Sequence, residues 1–577
     1  MSTRINGTYF IADGCLCKDT KEGPIQLTNF TASILRELVY HDASKTTTHL
    51  VVVGELDDGT VLPEVTIDAT EFAGLGWVPQ KWGMAPIVYP QPSAERDIKT
   101  AIQIASKPER QHIYTHTGWT TINEKPTFLS VSGGINADGF DPSISVQLPQ
   151  ELSRYSLPAP CGGCEALAAS LRLINLGPKN ITWPLTLATY RAAIGPADFA
   201  IHLAGRTGTF KSEVSSLFQS HYGTEMDSRH LPASWSSTAN ALECLAYKSK
   251  NAIITVDDFV PVGTSWMVRT LQSKADQFIR GQGNQAGRAR LTETTSMQQT
   301  FYPRGIILST GEDIPEGHSV RARMLILELS PGDIESAKLT AAQAQRPAFA
   351  QAMSNWIHWL SKGNWRPLLE ERAKFYRDQN LGMGHSRTPA IIGELIATAE
   401  LISIYCEQQG FFTQETRDGF TNKARTAIID SGMRQGEYLH SADPVTALCE
   451  CIRQLLGSGQ AHLRTRNGGI PEDAQQYGWT SLAGLGEMPT FKAGGPRLGW
   501  LDTQAGEILL DPNTLPLLKK HSGGKLATTQ QTLLKRLKEA GILTRQDAAR
   551  ERNTVRMTLE GHPHSVLALS LESVMGE

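Results

Sequence analysis

The chain lacks the features that mark disulfide-built, membrane-spanning and strongly basic proteins. It has 8 cysteines in 577 residues, a fraction far below that of disulfide scaffolds. The net charge is −3, so a surface that binds nucleic acid must be local rather than spread over the whole chain. Apolar runs are shorter than a membrane span and the N-terminus carries no signal-peptide pattern, which favours a cytoplasmic protein with no membrane partner.

The cysteines give no strong metal signal. Cys161 and Cys164 have CxxC spacing and Cys15 and Cys17 have CxC spacing, but a zinc site needs four such ligands brought together. We therefore interpret residues 157–163 as a linker rich in proline and glycine. The other four cysteines lie in helical apolar patterns and are expected to be buried thiols: Cys244, Cys406, Cys449 and Cys451.

Length and hydrophobic pattern predict an α/β multidomain protein. Apolar residues make up 40% and charged residues 20% of the chain, as in ordinary globular proteins. The length exceeds what one hydrophobic core supports. We predict an N-terminal α+β domain (1–155), a helical linker (156–195), a nucleotide-binding core with a parallel sheet (196–335), a helical domain (336–490) and a C-terminal winged-helix domain (491–577).

Local patterns place elements within these segments. In the first segment the predicted strand pairs are 48–56 with 61–67 and 111–119 with 126–131, and 93–106 is a predicted helix. Residues 388–409 predict one long amphipathic helix. Near the C-terminus a capped helix at 528–541 precedes strands at 554–559 and 566–571, which is the element order of a winged helix.

The most informative motif is a glycine-containing loop at residues 205–212, which read GRTGTFKS. It stands between a short apolar run and a helical pattern, so backbone N–H groups can converge on phosphate oxygens at a helix N-terminus. Lys211 would reach the outer phosphates and the Ser212 hydroxyl would bind Mg²⁺. The loop predicts an ATP site formed by Gly205, Arg206, Thr207, Gly208, Thr209, Phe210, Lys211 and Ser212.

A second motif, AIITVDD at residues 252–258, is a buried-strand pattern that ends in two carboxylates. Asp257 would hold Mg²⁺ through its water shell, and Asp258 would polarise the attacking water. Either motif alone is a weak signal. Their order, spacing and strand contexts together predict an ATP hydrolase.

The loop departs from the usual pattern at one position. Phe210 stands directly before the lysine, where glycine is usual, and an additional glycine is present at Gly208. One open interpretation is therefore a scaffold protein whose nucleotide site is inactive because of Phe210.

Five more polar positions are candidates that extend the predicted site. The strand at 305–309 leads into Thr310, our choice for the residue that orients the water, with Ser309 as its neighbour. Arg323 precedes the strand at 324–329 and is the better candidate, ahead of Arg321, for a guanidinium that reaches the γ-phosphate of an adjacent subunit. Arg387 opens the long helix of the helical domain, from where it could lean over the nucleotide in its own subunit.

These residues resemble those of the minichromosome maintenance helicases, which belong to the AAA-plus class. The chain is more similar to a helicase-like family of mobile elements and prophages, long catalogued as a domain of unknown function, with the staphylococcal cassette chromosome helicases. Residues 196–212, 231–243, 256–259, 283–291, 304–313 and 321–323 carry the resemblance, which extends over roughly residues 30 to 575. It implies an AAA-plus P-loop core, a helical lid domain and a hexameric ring that translocates on single-stranded or forked DNA. The second carboxylate is Asp258, where the minichromosome proteins have glutamate.

Two basic segments are candidate DNA contacts. Arg288 and Arg290 lie between the second motif and the strand at 305–309, in a turn that would project from the core toward a central pore, although one of them could instead act between subunits. Residues 519–556 contain ten Lys and Arg against three Asp and Glu. Within that excess we assign DNA contacts to Lys535 and Arg536, against the alternative of a solvated basic helix face.

The resulting functional prediction is an ATP-dependent DNA helicase that serves replication of a mobile element or prophage. The main alternative is an ATPase switch that binds DNA or protein and remodels it without unwinding. DNA-stimulated ATP hydrolysis would favour the first, and a DNA-independent rate the second.

Overall fold

The computed structural model describes residues 2–42, 45–287, 300–379, 387–482, 490–522, 526, 529–547 and 552–576. Within the first 146 residues the elements are β1 Ser2–Arg4, β2 Tyr9–Ala12, β3 Cys15–Thr20, β4 Gly23–Gln26, β5 Phe30–Asp42, β6 Lys45–Leu56, β7 Val61–Asp68, α1 Trp77–Trp82, α2 Ala94–Ala105, β8 Glu109–Tyr114, β9 Gly118–Ile122, β10 Lys125–Ser130, β11 Gly133–Asn136, β12 Gly139–Asp141 and β13 Ser145–Val146. They form three sheets, with the strand orders β1-β2-β3-β4, β13-β8-β5-β6-β7 and β12-β11-β10-β9. The predicted hairpin is confirmed, because β6 and β7 pair antiparallel, and α2 confirms the predicted helix.

The prediction of one strand at 111–119 was wrong, because the chain turns between β8 and β9. Gly118 has φ +82°, and a Cβ there would lie 2.3 Å from the Lys250 carbonyl oxygen. Beside it the Thr117 N–H donates to the Lys248 oxygen at 2.9 Å, and Trp119 Nε1 donates to the Ala193 oxygen at 2.6 Å. The turn therefore docks the N-terminal domain onto the central part of the chain.

The central part is built on a five-stranded parallel sheet, as predicted. Its elements are α3 Glu165–Leu171, α4 Lys179–Ile194, β14 Ala200–Gly205, α5 Lys211–Gln219, β15 Ala233–Ser234, α6 Ala239–Lys248, β16 Ile253–Phe259, α7 Ser265–Asn284, β17 Ile306–Gly311, α8 His318–Arg321 and β18 Met324–Leu329. The strand order is β15-β16-β17-β14-β18, and every pairing is parallel. Strands β14 and β17 are buried along their whole length, as expected for strands covered on both faces.

Five helices follow the sheet: α9 Ser336–Gln343, α10 Arg346–Ser361, α11 Arg366–Gln379, α12 Thr388–Gln408 and α13 Gln414–Ser441. They share one hydrophobic cluster with the central sheet and with α3 and α4, so residues 156–195 are packed into the central body rather than joining two separate bodies. α12 is buried on most of its faces instead of being amphipathic. By length and composition it could cross a membrane, but 78% of its apolar window is buried inside the protein.

The 28-residue helix α13 connects the central sheet to the C-terminal part of the chain. Its Gln435 accepts from the Ile326 N–H and donates to the Arg321 oxygen, both at 2.9 Å. Tyr438 OH donates to Glu328 at 2.6 Å. Two residues beyond its end Asp443 caps the next helix, so the chain continues directly into that helix.

The C-terminal part comprises α14 Pro444–Gly457, β19 His462–Thr465, β20 Trp479–Leu482, β21 Thr490–Ala493, β22 Arg497–Asp502, β23 Glu507–Leu510, α15 Leu515–His521, α16 Gln530–Glu539, β24 Val555–Leu559, β25 His562–Ser570 and α17 Leu571–Met575. The predicted helix and strand pair are present as α16 and the antiparallel β24 and β25. The hairpin belongs to a larger sheet, however, with the order β19-β22-β23-β25-β24. The predicted boundary at residues 490 and 491 falls inside this unit, because α14 and β19 contribute to its core.

Candidate nucleotide-binding site

The loop at residues 205–212 connects the carboxyl end of β14 to the amino end of α5. Gly205 has φ +154°, and a Cβ there would lie 2.5 Å from the Leu329 oxygen, so only glycine fits beside β18. Thr209 is buried and its hydroxyl donates to the Arg206 oxygen at 2.8 Å, which closes the loop on itself. Because α5 begins at Lys211, the first N–H groups of this helix face the loop, as a phosphate site requires.

Phe210 occupies a left-handed backbone conformation, with φ +63° and ψ +22°. The other left-handed position of the loop is Gly208, with φ +86°. Glycine adopts this region without penalty, whereas a bulky side chain pays a conformational cost there. This conformation explains why glycine is usual before the lysine, and Phe210 adopts it despite its side chain.

Lys211 lies among groups of the opposite charge. Its Nζ donates to the Arg206 oxygen at 2.9 Å. Burial lowers the pKa of the Lys211 ammonium, and the charges of Glu312, Asp257 and Asp258 oppose that shift. The side chain is therefore held beside three carboxylates at the mouth of the loop.

Hydroxyl groups from two elements converge on Asp257 at the end of β16. Ser212 Oγ donates to its two carboxylate oxygens at 2.9 and 3.1 Å, and Thr310 Oγ1 donates to Oδ1 at 2.5 Å. A hydroxyl and a carboxylate are oxygen ligands of the kind that Mg²⁺ takes, so these residues fit the predicted cation. No cluster of three or more His, Cys, Asp or Glu side chains in the described part of the chain could hold a metal. A cation here would therefore need further ligands from the nucleotide and water.

Asp258 projects from a bulge at the carboxyl end of β16. The register with β17 shifts between Val256 and Phe259, and Asp258 has φ +70° and an exposed side chain. Its N–H donates to Thr310 Oγ1 at 3.1 Å. The bulge turns the second carboxylate away from Asp257 and toward solvent beside the loop.

The structure decides the choice between Thr310 and Ser309, because the contacts of the two side chains place them on opposite faces of β17. Ser309 faces the opposite side of the strand, where its Oγ is 2.9 Å from both His202 Nδ1 and Trp235 Nε1. Burial lowers the pKa of His202 to about 4. Thr310 therefore belongs to the site, and Ser309 belongs to a buried network beneath it.

Sequence reasoning missed Glu312, which directly follows β17. Thr207 Oγ1 donates to Glu312 Oε1. Among the three nearby carboxylates, Glu312 contributes most to keeping the Lys211 ammonium protonated. The carboxyl ends of parallel strands lie at one edge of a sheet. The position of Glu312 in the sequence, immediately after β17, could therefore have predicted that it lies near the loop.

Arg323 and Arg387 lie together at the opposite edge of the sheet, where the strands begin. The Ala200 N–H at the start of β14 donates to the Arg323 oxygen at 2.9 Å. Arg387 Nη1 donates to the Gly283 oxygen at 3.1 Å, and Arg323 packs against that same glycine. Burial and the neighbouring charges of Arg387 and Arg280 lower the pKa of Arg323.

This placement corrects the prediction that Arg387 leans over the nucleotide of its own subunit. The five residue steps of β14 separate the two edges by roughly 17 Å, beyond the reach of an arginine side chain. Arg321, the second choice between subunits, donates inside its own chain to the Pro315 and Tyr438 oxygens at 3.1 Å each, and Arg323 likewise donates to Ser319 and Asn284 at 2.6 to 3.0 Å. Arg323 and Arg387 are kept as the candidates for action on a second subunit because their charges lie together at this edge.

The predicted DNA contacts differ in exposure. Lys535 pairs with Glu539 and Arg536 pairs with Asp443, each at 3.8 Å, but the side chain of Lys535 is 76% exposed and that of Arg536 is 34% exposed. Arg288 and Arg290 lie outside the described residues. Among the described candidates, Lys535 is therefore more accessible to DNA than Arg536.

The fold defines a multidomain α/β protein with a central parallel sheet. No family model matches the chain, and no curated protein matches it. Among solved structures, one described as "SCCmec type IV Cch - active helicase" is similar over 99% of both chains, with a TM-score of 0.57 and 12% identity. The resemblance to cassette helicases is thus supported at the level of overall fold. A second structure, of the C-terminal region of NrS-1, has a TM-score of 0.24 and 11% identity over 69% of this chain and 87% of that chain, too weak a likeness to carry an argument.

Proposed function

We propose that the chain is an ATP-dependent DNA helicase of the AAA-plus class, which acts as a ring, expected to be a hexamer, in replication of a mobile element or prophage. The observation that carries the proposal is the convergence of Ser212, Asp257 and Thr310 beside Lys211 at the carboxyl edge of the sheet. The position of β17 between the loop strand β14 and the acidic strand β16 supports it, because that strand then delivers Thr310 between the two motifs.

Each residue has a distinct task in the proposed hydrolysis. The loop N–H groups and Lys211 bind the phosphate oxygens of ATP. Ser212 and Asp257 would hold Mg²⁺, which when bound neutralises charge on those oxygens. Asp258 orients a water and takes its proton. Thr310 fixes the relative positions of Asp257 and Asp258 through its hydroxyl.

Completion of the site requires a second copy of the chain. Arg323 and Arg387 lie too far from their own loop, so we assign both to the nucleotide of the adjacent subunit. A guanidinium there stabilises the charge that develops during phosphoryl transfer. A head-to-tail arrangement of this kind closes into a ring when the rotation between neighbouring subunits is a whole fraction of a full turn.

DNA would be bound at two places. The first is the pore, where Arg288 and Arg290 are the proposed phosphate contacts. The second is α16, where the exposed Lys535 is the stronger candidate and Arg536, held by Asp443, is the weaker one. Both contacts are to phosphates, so binding should weaken as salt rises.

The test is ATP hydrolysis and strand displacement by purified protein with forked DNA. We expect single-stranded DNA to stimulate hydrolysis and unwinding to require ATP, with Lys211→Ala as the inactive control. Hydrolysis unaffected by DNA, with no unwinding, would instead support an ATPase that remodels a partner. Absence of ATP binding and hydrolysis in the wild type would refute both.

A further inference from the structure

The amino-terminal half of α7 and the loop before it expose an unusual amount of apolar surface. Val262 is 67% exposed, Trp266 72% and Met267 51%. Every residue from 262 to 267 is exposed, although this stretch follows directly after the buried end of β16. Adjacent exposed apolar side chains of this size mark an interaction surface rather than ordinary surface variation.

The exposed segment is held in a fixed place. Thr264 caps α7 by accepting from the Met267 N–H. About two turns beyond Met267, Lys274 donates to the Trp235 and Ser237 oxygens at 2.8 and 2.6 Å. The carboxyl-terminal half of the helix is anchored by the buried Phe278 and Ile279. The exposed segment is therefore the capped amino-terminal end of a helix whose other half is anchored in the core.

The surroundings of this segment identify its partner. It lies at the carboxyl edge of the central sheet, beside exposed carboxylates of this edge and of the chain that leaves it: Asp258, Glu312, Asp313 and Glu316. Gln272 of α7 accepts from the Glu316 N–H at 2.9 Å, which joins the helix to that acidic loop. The amino edge of the same sheet carries Arg280, Arg323 and Arg387 close enough for their charges to interact, with the carboxylates of Asp198 and Asp276 beside them. The three guanidiniums outnumber these two carboxylates, so the amino edge of one copy fits the acidic carboxyl edge of another.

We propose that Val262, Trp266 and Met267 form a docking surface for a second copy of this chain, which presents the amino edge of its central sheet. The inference rests on the proposed function, because the same apposition brings Arg323 and Arg387 toward the neighbouring loop. It adds that the apolar start of α7 anchors the contact. Tryptophan is among the side chains that contribute most at protein interfaces.

The first experiment compares Trp266→Ser with Met84→Ser, which removes an apolar side chain 87% exposed elsewhere on the chain. Sedimentation velocity with a non-hydrolysable ATP analogue measures assembly, and fluorescent-nucleotide titration measures binding. We expect Trp266→Ser to weaken assembly by at least about tenfold and to lower hydrolysis per subunit, with nucleotide affinity retained. Met84→Ser should behave as wild type.

The second experiment locates the contact. A photo-crosslinking amino acid, benzoylphenylalanine, replaces Met267 in a mixture of ¹⁴N- and ¹⁵N-labelled chains, in one arm with ATP analogue and forked DNA and in a second arm without them. Expected products are mixed-label peptide pairs that join Met267 to residues 276–284, 319–323 or 387–394. Crosslinks to DNA, to another surface, or only within one chain would overturn the proposal.

The outcomes separate this inference from the proposed function. If wild-type protein binds and hydrolyses ATP but Trp266→Ser assembles normally, the docking surface is wrong and the ATPase assignment stands. If wild-type protein does not bind ATP, the proposed function fails, and the analogue-free crosslinking arm still reports whether two copies meet at this surface.

Discussion

Asp258 and Glu312 are two exposed carboxylates beside the loop at residues 205–212, and the proposed function assigns water activation to Asp258. We expect Asp258→Asn to retain ATP binding and lose hydrolysis by on the order of 100-fold or more, because a proton acceptor is removed while Asp257 stays. Glu312→Gln should keep most of the turnover and weaken binding modestly, since its tie to Thr207 only shapes the loop. Single-turnover hydrolysis and nucleotide titration of both variants measure this. The reverse pattern would assign the role to Glu312.

Substitutions at Phe210 can separate the effect of its aromatic ring on ATP affinity from the effect of its left-handed backbone conformation. Phe210→Gly removes the left-handed strain, so ATP affinity should equal or exceed that of the wild type, by at most about fivefold for roughly 1 kcal/mol. Phe210→Ala keeps the strain and loses the ring, so it should bind no more tightly than wild type. Isothermal titration of ATP into the wild type, Phe210→Gly and Phe210→Ala measures these affinities. Equal weakening in both variants would mean that the ring contacts the nucleotide.

At this scale the sequence predicted more of the site than of its surroundings. The loop, its serine and the two aspartates lie in or directly beside the strands that position them. Lys211, Ser212 and Asp257 could therefore be selected as site candidates from the sequence pattern. Strand alternation alone could not decide between Thr310 and Ser309, because the direction of each side chain depends on which face of β17 meets His202. The side of the sheet on which Arg387 lies depends on packing across about one hundred residues, and the sequence pattern does not contain that information.

At the scale of elements, the apposition of two sheet edges predicts a characteristic result in mixed assemblies. Arg323→Ala and Arg387→Ala should each lower hydrolysis strongly, by on the order of 10³-fold for a guanidinium at the transition state. Mixing either variant with Lys211→Ala should restore part of the rate, because some interfaces then combine an intact loop with intact arginines. Steady-state hydrolysis across mixing ratios measures the recovery.

The negative control for that experiment is a mixture of Lys211→Ala with Asp258→Asn. Both changes lie at the same edge, so no mixture contains an intact site and no recovery is expected. Recovery with Arg323→Ala but not with Arg387→Ala, once subunit exchange is shown, would return Arg387 to its own subunit.

Elements with a strong local signal matched the structure closely, and those bent by tertiary contacts did not. The bounds predicted for β18 agree with those observed because an apolar run between polar residues has few alternatives. The strand predicted at 111–119 instead breaks at Gly118, whose left-handed turn is set by contact with Lys250 in the next domain. Glycine permits this turn, but it is the contact with the central part of the same chain that requires it.

At the scale of the whole molecule, buried histidines predict acid sensitivity. Burial lowers the pKa of His116 to about 3 and that of His221 to about 4, as it does for His202. These groups take up their protons on unfolding, so below pH 6.5 the unfolded chain binds more protons and stability falls as pH falls, until the folded-state pKa is reached. Each contributes about 1.4 kcal/mol of lost stability per pH unit in that window.

Thermal unfolding between pH 7.5 and 5 checks this expectation. His221→Asn should flatten the dependence of the unfolding temperature on pH, whereas His521→Asn, at an exposed position, should leave it unchanged. An identical slope in wild type and His221→Asn would show that the buried imidazole does not set the response.

The C-terminal unit also illustrates what whole-molecule packing adds. Its helix and hairpin were predictable from local pattern, but the strands that complete its sheet come from residues 462–465 and 497–510, and its core begins at α14. Segments so far apart in sequence show no periodicity that links them.

The long helix α13 has a mechanical consequence. It is about 42 Å long, and its last two turns both contact β18, through Gln435 and Tyr438, and lead at once into α14 of the C-terminal unit. Arg323 stands at the start of that same strand. A rotation of β18 on engagement of an arginine with a neighbour would therefore pass directly through these two turns to the C-terminal unit and shift α16 with it.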